Sequence, residues 1–285
     1  MPRAAWLPAV ALVFNAFTWG LSWWPFRQLQ GAGLHPLWAT ALIYATAVAF
    51  ISLRRPGAWK ELLGTPALWV LVLAAGTTNA TFNWAVAIGD VVRVVLLFYL
   101  MPVWAVLLAW ALLGEKPTPL ALLRVALALA GAGIVLWPAE GGGLPLPRDL
   151  AEGLSVLGGF SFALNNVMLR REAARSAGAR GLAMFLGGAL VAAALALAMA
   201  VATPPAPAPG WLLGTAALAL FFIGANLSLQ YGAARLPANA TAVIMITEVL
   251  FASVSALLLG AGTLTPSLAL GGTLIVLAAL LAARG

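Results

Sequence analysis

Apolar residues fall along this chain in ten helix-length runs, at 4–24, 34–53, 66–87, 92–112, 119–137, 150–170, 180–202, 210–232, 238–260 and 265–283. Each is roughly 20 residues long, and at about 1.5 Å of rise per residue that spans a hydrocarbon core of about 30 Å. The breaks have the opposite chemistry. "RRPGAWKELLGTP" (54–66), "GEKPTP" (114–119), "PAEGGGLPLPRD" (138–149), "TPPAPAPG" (203–210) and "TLTP" (263–266) gather prolines, glycines and charges that cannot continue a lipid-exposed helix. Barrel strands alternate over about ten residues, whereas these runs are continuously apolar, so helices are expected and not strands. The first run is followed by nine more and reads as a span, not a cleaved signal peptide. The pattern predicts an all-α integral membrane protein with ten transmembrane helices.

Composition mainly removes alternatives. Of 285 residues, 63% are hydrophobic and 8% charged, and the short connections leave no soluble domain. No Gly-x-x-x-x-Gly-Lys-Ser/Thr phosphate loop is present, so this chain is not expected to drive a pump with nucleotide. With no cysteine, disulfides and thiolate metal sites are excluded. His35, the single histidine, has no partner imidazole and reads as an interface residue, so neither metal nor cofactor is expected.

The net charge of +7 and pI near 11.1 have a topological explanation. With the N-terminus placed in the cytoplasm, that side collects Arg3, Arg54, Arg55, Lys60, Lys116, Arg124, Arg170, Arg171, Arg175, Arg180, Arg235 and Arg284, against Arg27, Arg93 and Arg148 outside. So strong a positive-inside bias places both termini in the cytoplasm of a bacterial inner membrane. The run "RREAARSAGAR" (170–180) is then a loop that enforces topology, and no nucleic-acid partner is expected.

An internal repeat refines the architecture. An ungapped shift of 146 lays "LMPVWAVLLAWALLGEKPTPLALLRVALALAGAG" (100–133) on "ITEVLFASVSALLLGAGTLTPSLALGGTLIVLAA" (246–279), matching Val103 to Val249, Leu112 to Leu258, Leu113 to Leu259 and Gly114 to Gly260. Each half holds five runs, divided at glycines 141–143, which gives domains 1–143 and 144–285. An odd number of spans per half inserts the second copy upside down, a recurrent transporter plan with the substrate site where the halves meet.

The pieces "FNAFTWGLSWWPFR" (14–27) and "LMPVWAVLLAWALLGEKPTPLALL" (100–123), with the late repeat of the second, resemble the drug/metabolite transporter superfamily in its ten-helix EamA-repeat branch. That branch shows a Trp-Gly in its first helix and a Pro-Val…Gly-Glu stretch in its fourth. Here they are Trp19-Gly20, Pro102-Val103 and Gly114-Glu115. The second half departs from the pattern, with Glu248 where a proline would stand and Ala261 in place of the glutamate. Within the branch the chain looks closest to the YddG-type exporters of aromatic amino acids. The resemblance implies a basket of helices around a central cavity lined mainly by the third, fourth, eighth and ninth spans.

Polar side chains in lipid face the bundle interior or a water-filled path. Asn79 and Asn83 lie four apart in the third run, Asn226 and Gln230 four apart in the eighth, and Asn15 and Trp19 four apart in the first. The sixth run adds Asn165 and Asn166. Neutral amides can donate to a carboxylate and accept from an ammonium, which suits a zwitterion; they can also simply join helices. Trp84, Tyr99 and Trp104 lie deep enough to meet an apolar substrate side chain, whereas Trp6, Trp23, Trp24, Trp59, Trp137 and Trp211 fall near run ends as interfacial anchors.

Glu248 is the one acidic residue well inside a run, and the repeat superposes it on Pro102, where the fourth helix is expected to kink and free the carbonyl of Phe98. Glu248 could contact a substrate amino group, take up a coupling proton, or be held protonated against a neighbouring helix. Paired glycines at 131/133, 158/159, 187/188 and 271/272 permit close helix packing or hinging. Asp90, Arg93, Glu115 and His35 are scattered, so an intramembrane enzyme is not expected. The function expected is export of aromatic or apolar amino acids and similar small metabolites by alternating access, with lipid and possible protons as the other partners. The alternative is transport of drug-like or lipid-linked amphipathic cargo.

Overall fold

The structure, a computed structural model, describes residues 6–137, 146–233, 235, 244–245 and 247–282, and the side chains of Pro102, Gln230, Ala233, Ala279 and Ala282 lie outside the described set. The described residues form helices α1 (Trp6–Leu21), α2 (Trp23–Gly31), α3 (Pro36–Arg54), α4 (Gly57–Leu63) and α5 (Pro66–Ile88). Then come α6 (Val91–Phe98), α7 (Met101–Leu113), α8 (Pro119–Leu136) and α9 (Leu150–Arg171). The chain continues with α10 (Ala177–Ala198), α11 (Pro209–Ala233), α12 (Thr247–Leu258) and α13 (Pro266–Ala282).

Prolines open α3, α5, α8, α11 and α13, where a missing N–H is harmless and the fixed φ suits the first turn. Side chains cap several other exposed amides: Asp90 accepts from Arg93 N at 3.0 Å, Asp149 from Glu152 N at 2.8 Å and Ser176 from Ala179 N at 3.1 Å. His35 belongs to this set. Its Nδ1 accepts from Leu37 N at 3.2 Å, and burial lowers the imidazole's pKa.

Every expected run holds a helix, but not every helix is a long span. Pro36–Arg54, Pro66–Ile88, Val91–Leu113, Pro119–Leu136, Ala177–Ala198 and Pro209–Leu229 are long and apolar enough to cross a membrane by length and composition. The first run turns at Ser22, whose hydroxyl donates to Trp19 O at 2.8 Å, leaving α1 with 16 residues and starting α2. α9 has 22 residues but carries Glu152, both asparagines and two arginines. α12 and α13 are short, with 12 and 17 residues. The short helices α2 and α4 are additions to the sequence expectation. Residues 1–5, 138–145 and 283–285, which include the expected hinge and both termini, lie outside the described residues.

Several contacts between residues 6–137 and 146–282 come in matched pairs. α5 packs on α9 and α11 on α1; α5 on α10 and α11 on α3; α7 on α9 and α12 on α1; α3 meets α10, and α8 meets α13. Swapping the first five spans for the last five maps this set onto itself. The left-handed glycines agree, since Gly114 (φ 71) and Gly260 (φ 66), one repeat offset apart, end α7 and α12 alike.

Close helix contact is carried by small residues. At the α5–α10 crossing a Cβ on Gly187 would overlap the Val72 carbonyl oxygen, and one on Gly76 would overlap the Gly187 carbonyl. Gly187→Ala is therefore expected to destabilise the fold by about 1–3 kcal/mol through overpacking. Thermal melting in detergent checks this; an unchanged midpoint would mean the crossing has room to spare.

Candidate functional site

The site begins at the break in the fourth run. α6 stops at Phe98 and α7 starts at Met101, with Tyr99 and Leu100 forming a turn just before Pro102. Pro102 has no N–H to give to Phe98, so the Phe98 carbonyl is free to lie against α9, where a Cβ on Gly159 would come within 2.5 Å of it. The turn aims Tyr99 across to the second half. Its hydroxyl donates to Glu248 Oε2 at 3.2 Å and sits 3.5 Å from the Met245 carbonyl oxygen. Tyr99 and Met245 stand 146 residues apart, the shift that aligns the two sequence segments.

Glu248, 9% exposed, lies in the first turn of α12, where the helix dipole favours a carboxylate. α1 reaches it because of Gly20: a Cβ there would stand 2.8 Å from the Glu248 carbonyl oxygen and 2.7 Å from Phe251 Cβ. The Trp-Gly pair therefore places a ring beside the cavity and removes the obstacle to packing in consecutive positions.

Between the halves is a cavity of about 110 Å³. Its polar lining comes from Asn15, Tyr44, Thr78, Asn79, Asn165, Asn226 and Glu248. Its rings come from Trp19, Phe82, Phe98, Phe162, Phe185 and Phe222. Trp19 stacks on Phe222 at 4.5 Å, and Phe98 lies 4.8 Å from Phe82 and 5.4 Å from Phe162. The volume is below the roughly 300–1,000 Å³ of pockets that take drug-sized ligands, so a substrate with an aromatic ring needs the cavity to widen.

Five expected site residues line this space: Asn15, Trp19, Asn79, Asn226 and Glu248. Tyr99 stands behind Glu248. The structure places the others elsewhere. Asn83 donates to Thr40 Oγ1 at 3.1 Å and joins α5 to α3. Trp84 packs edge-on to His35 at 5.3 Å, and Trp104 edge-on to Phe160 at 5.6 Å. Asn166 is exposed, while Asn165 beside it lines the cavity, because neighbours on a helix point about 100° apart. Pro102 and Gln230 have side chains outside the described residues. Tyr44, Thr78 and the five phenylalanines carried no signal within continuous apolar runs.

The two ends of the cavity differ. Towards Arg54 lies a vestibule of about 840 Å³ between α3, α10 and α11, lined by Phe50, Arg54, Arg55, Ser176 and Ile223 among others. Phe185 and Asn226 line both the vestibule and the cavity. At this end Arg170 and Glu115 pair at 2.7 Å with side chains 68% and 43% exposed, a tie of little strength. Glu61, also exposed, accepts from Ser176 N at 2.9 Å and Oγ at 2.5 Å, and these bonds lower its pKa.

At the Asp90 end several contacts join the halves, and others tie residues within the first half. Asp90 accepts from Thr263 N at 2.8 Å, and Val91 N donates to Ala261 O at 3.1 Å. Arg93 pairs with the buried Glu152, which accepts from Arg148 N at 2.9 Å, and Arg148 donates to Leu136 O at 2.8 Å. Arg27 donates to the carbonyls of Val86, at 3.2 Å, and Gly89. The three arginines expected on the outer side are all used here.

Residues 6–137 match the model of the EamA-like transporter family. That match covers just under half of a multi-pass membrane chain. Over 95 residues the chain is 36% identical to an uncharacterized transporter of Pseudomonas aeruginosa; the match spans 32% of each protein, about a third of that relative's length. A protein of known crystal structure, 20% identical, superposes at a TM-score of 0.59 over 99% of this chain and 97% of its own, a likeness of fold.

Proposed function

We propose that this chain is a bacterial inner-membrane carrier built as two inverted five-helix repeats, residues 1–143 and 144–285, with both termini in the cytoplasm. Its cargo is a small amphipathic metabolite with an amino group and an apolar side chain, aromatic and apolar amino acids among them. The observation that supports this most is a cavity at the junction of the halves, closed towards Asp90 and adjoining a wide vestibule towards Arg54. On the proposed topology that is an inward-facing arrangement. Exchange of the halves would loosen the Asp90 network and close the vestibule, giving access from the other side. Glu248 would hold the amino group, or a proton that couples transport to the gradient.

A second reading, transport of a lipid-linked or drug-like amphipathic molecule, is favoured by one observation: Arg54 and Arg55 line the vestibule, where a phosphate headgroup would need them. Uptake into proteoliposomes of radiolabelled Phe, Trp, Met, Thr, Lys and Glu, with and without a pH gradient, separates the two. Saturable, mutually competing flux of the apolar members and none of Lys or Glu is expected. Absence of flux throughout the panel sinks the amino-acid reading and leaves the amphipathic-lipid reading to be tested with a fluorescent phospholipid in the same vesicles.

A further inference from the structure

Two buried amides of the cavity lining each keep an acceptor in reserve. The Asn15 amide nitrogen donates to Ala225 O at 2.8 Å, while its Oδ1, on a residue 1% exposed, has no partner among the described residues. Asn165, 2% exposed, repeats the pattern: Nδ2 reaches Asn166 Oδ1 at 3.4 Å, and its own Oδ1 is unpartnered among the described residues. Asn79 is engaged at both ends, accepting from Tyr44 at 2.5 Å and donating to Ala75 O at 2.7 Å. With the Glu248 carboxylate, Asn15 and Asn165 thus offer acceptors on three of the lining side chains. No lysine, arginine or histidine lines the cavity among the described residues, and residues 236–243 and 246 contain none.

An ammonium group carries three N–H donors and no acceptor, so it complements this set. Ring faces such as that of Trp19 add cation–π attraction in a site screened from water. A carboxylate on the same ligand has no cation to meet and would enter apolar, acceptor-rich surroundings unpaired, which is strongly disfavoured. Charge accounting agrees: a monocation neutralises Glu248, whereas a zwitterion leaves one negative charge over.

We propose that the cavity selects organic ammonium ions lacking a carboxylate, arylalkylamines by chemical class, over the corresponding amino acids, with Asn15, Asn165 and Glu248 accepting from the ammonium. This rests on the carrier reading above and narrows its amine-bearing cargo. Glu248 and the rings give the affinity, and the two orphan amide oxygens fix the ammonium's orientation.

Phenethylamine and phenylalanine differ only by the carboxylate, which makes them the deciding pair. Binding of radiolabelled phenethylamine to the purified full chain in detergent, by scintillation proximity, avoids leakage of neutral amine through lipid. Competition should be at least about tenfold stronger for unlabelled phenethylamine than for phenylalanine, and absent for phenylpropionate. Asn165→Leu should weaken amine binding several-fold while gel filtration shows the folded protein, and it serves as the check if a Glu248 variant fails to fold. Phenylalanine binding equally or more tightly, or competition by phenylpropionate, overturns the proposal and leaves the amino-acid carrier standing. No binding of any of the three, with no flux in the panel, overturns both.

Discussion

Glu248→Gln lowers saturable amine flux at least about tenfold, the loss expected when a charge-assisted hydrogen bond is replaced by a neutral one. Glutamine keeps the shape and still accepts from Tyr99, so α12 stays where Gly20 lets it pack. What disappears is the negative charge that a cation or proton neutralises. In the wild-type protein the two compete for one carboxylate, so amine binding weakens as pH falls; in the variant the profile is flat. The groups around Glu248 keep this assignment specific. α1 has no titratable side chain, and α6 and the turn after it present Tyr99, with Arg93 and Asp90 held at the far end in the closing network. Among the described residues, Tyr44 is the other titratable group lining the cavity. A Gln variant with undiminished flux and an unchanged pH profile would make Glu248 a structural residue.

Glu152→Ala opens the Asp90 end. The substitution leaves Arg93 and the Arg148 amide without the carboxylate that joins them, and breaking a buried pair from one side costs about 3–5 kcal/mol. Part of that cost falls on the closed arrangement alone, so the ratio of closed to open molecules should fall at least about tenfold. The absence of cysteine from the sequence provides the measurement. A single Thr78→Cys reporter in the cavity should react with a membrane-impermeant thiol reagent applied to intact cells, at least about tenfold faster when Glu152→Ala is present. Equal rates would show that the network does not control access from that side.

Much of the fold was legible because lipid imposes one dominant rule on sequence: a span must be apolar for about 20 residues and must satisfy its own backbone. The ten runs, their proline starts and the equivalence of Gly114 with Gly260 follow from that rule and from the repeat. The rule is silent about which face of an apolar helix turns inward. Asn165 and Asn166 are chemically identical neighbours, and α9 buries only the first. Asn79 and Asn83 share a face by spacing, yet one reaches the cavity and the other bonds Thr40. Phenylalanines 82, 98, 162, 185 and 222 are lost among their apolar neighbours until packing gathers them.

The sequence by itself determined the apolar helical runs and the breaks between them, because hydrophobic length and helix-breaking chemistry are local properties. Only the tertiary structure decided which rings and amides share a cavity, and that Arg27, Arg93 and Arg148 gather with Asp90 and Glu152 near one end. Those depend on contacts between residues as distant in the chain as Asn15 and Ala225 or Asp90 and Thr263, and a long-range pairing leaves no periodic trace in the residues between.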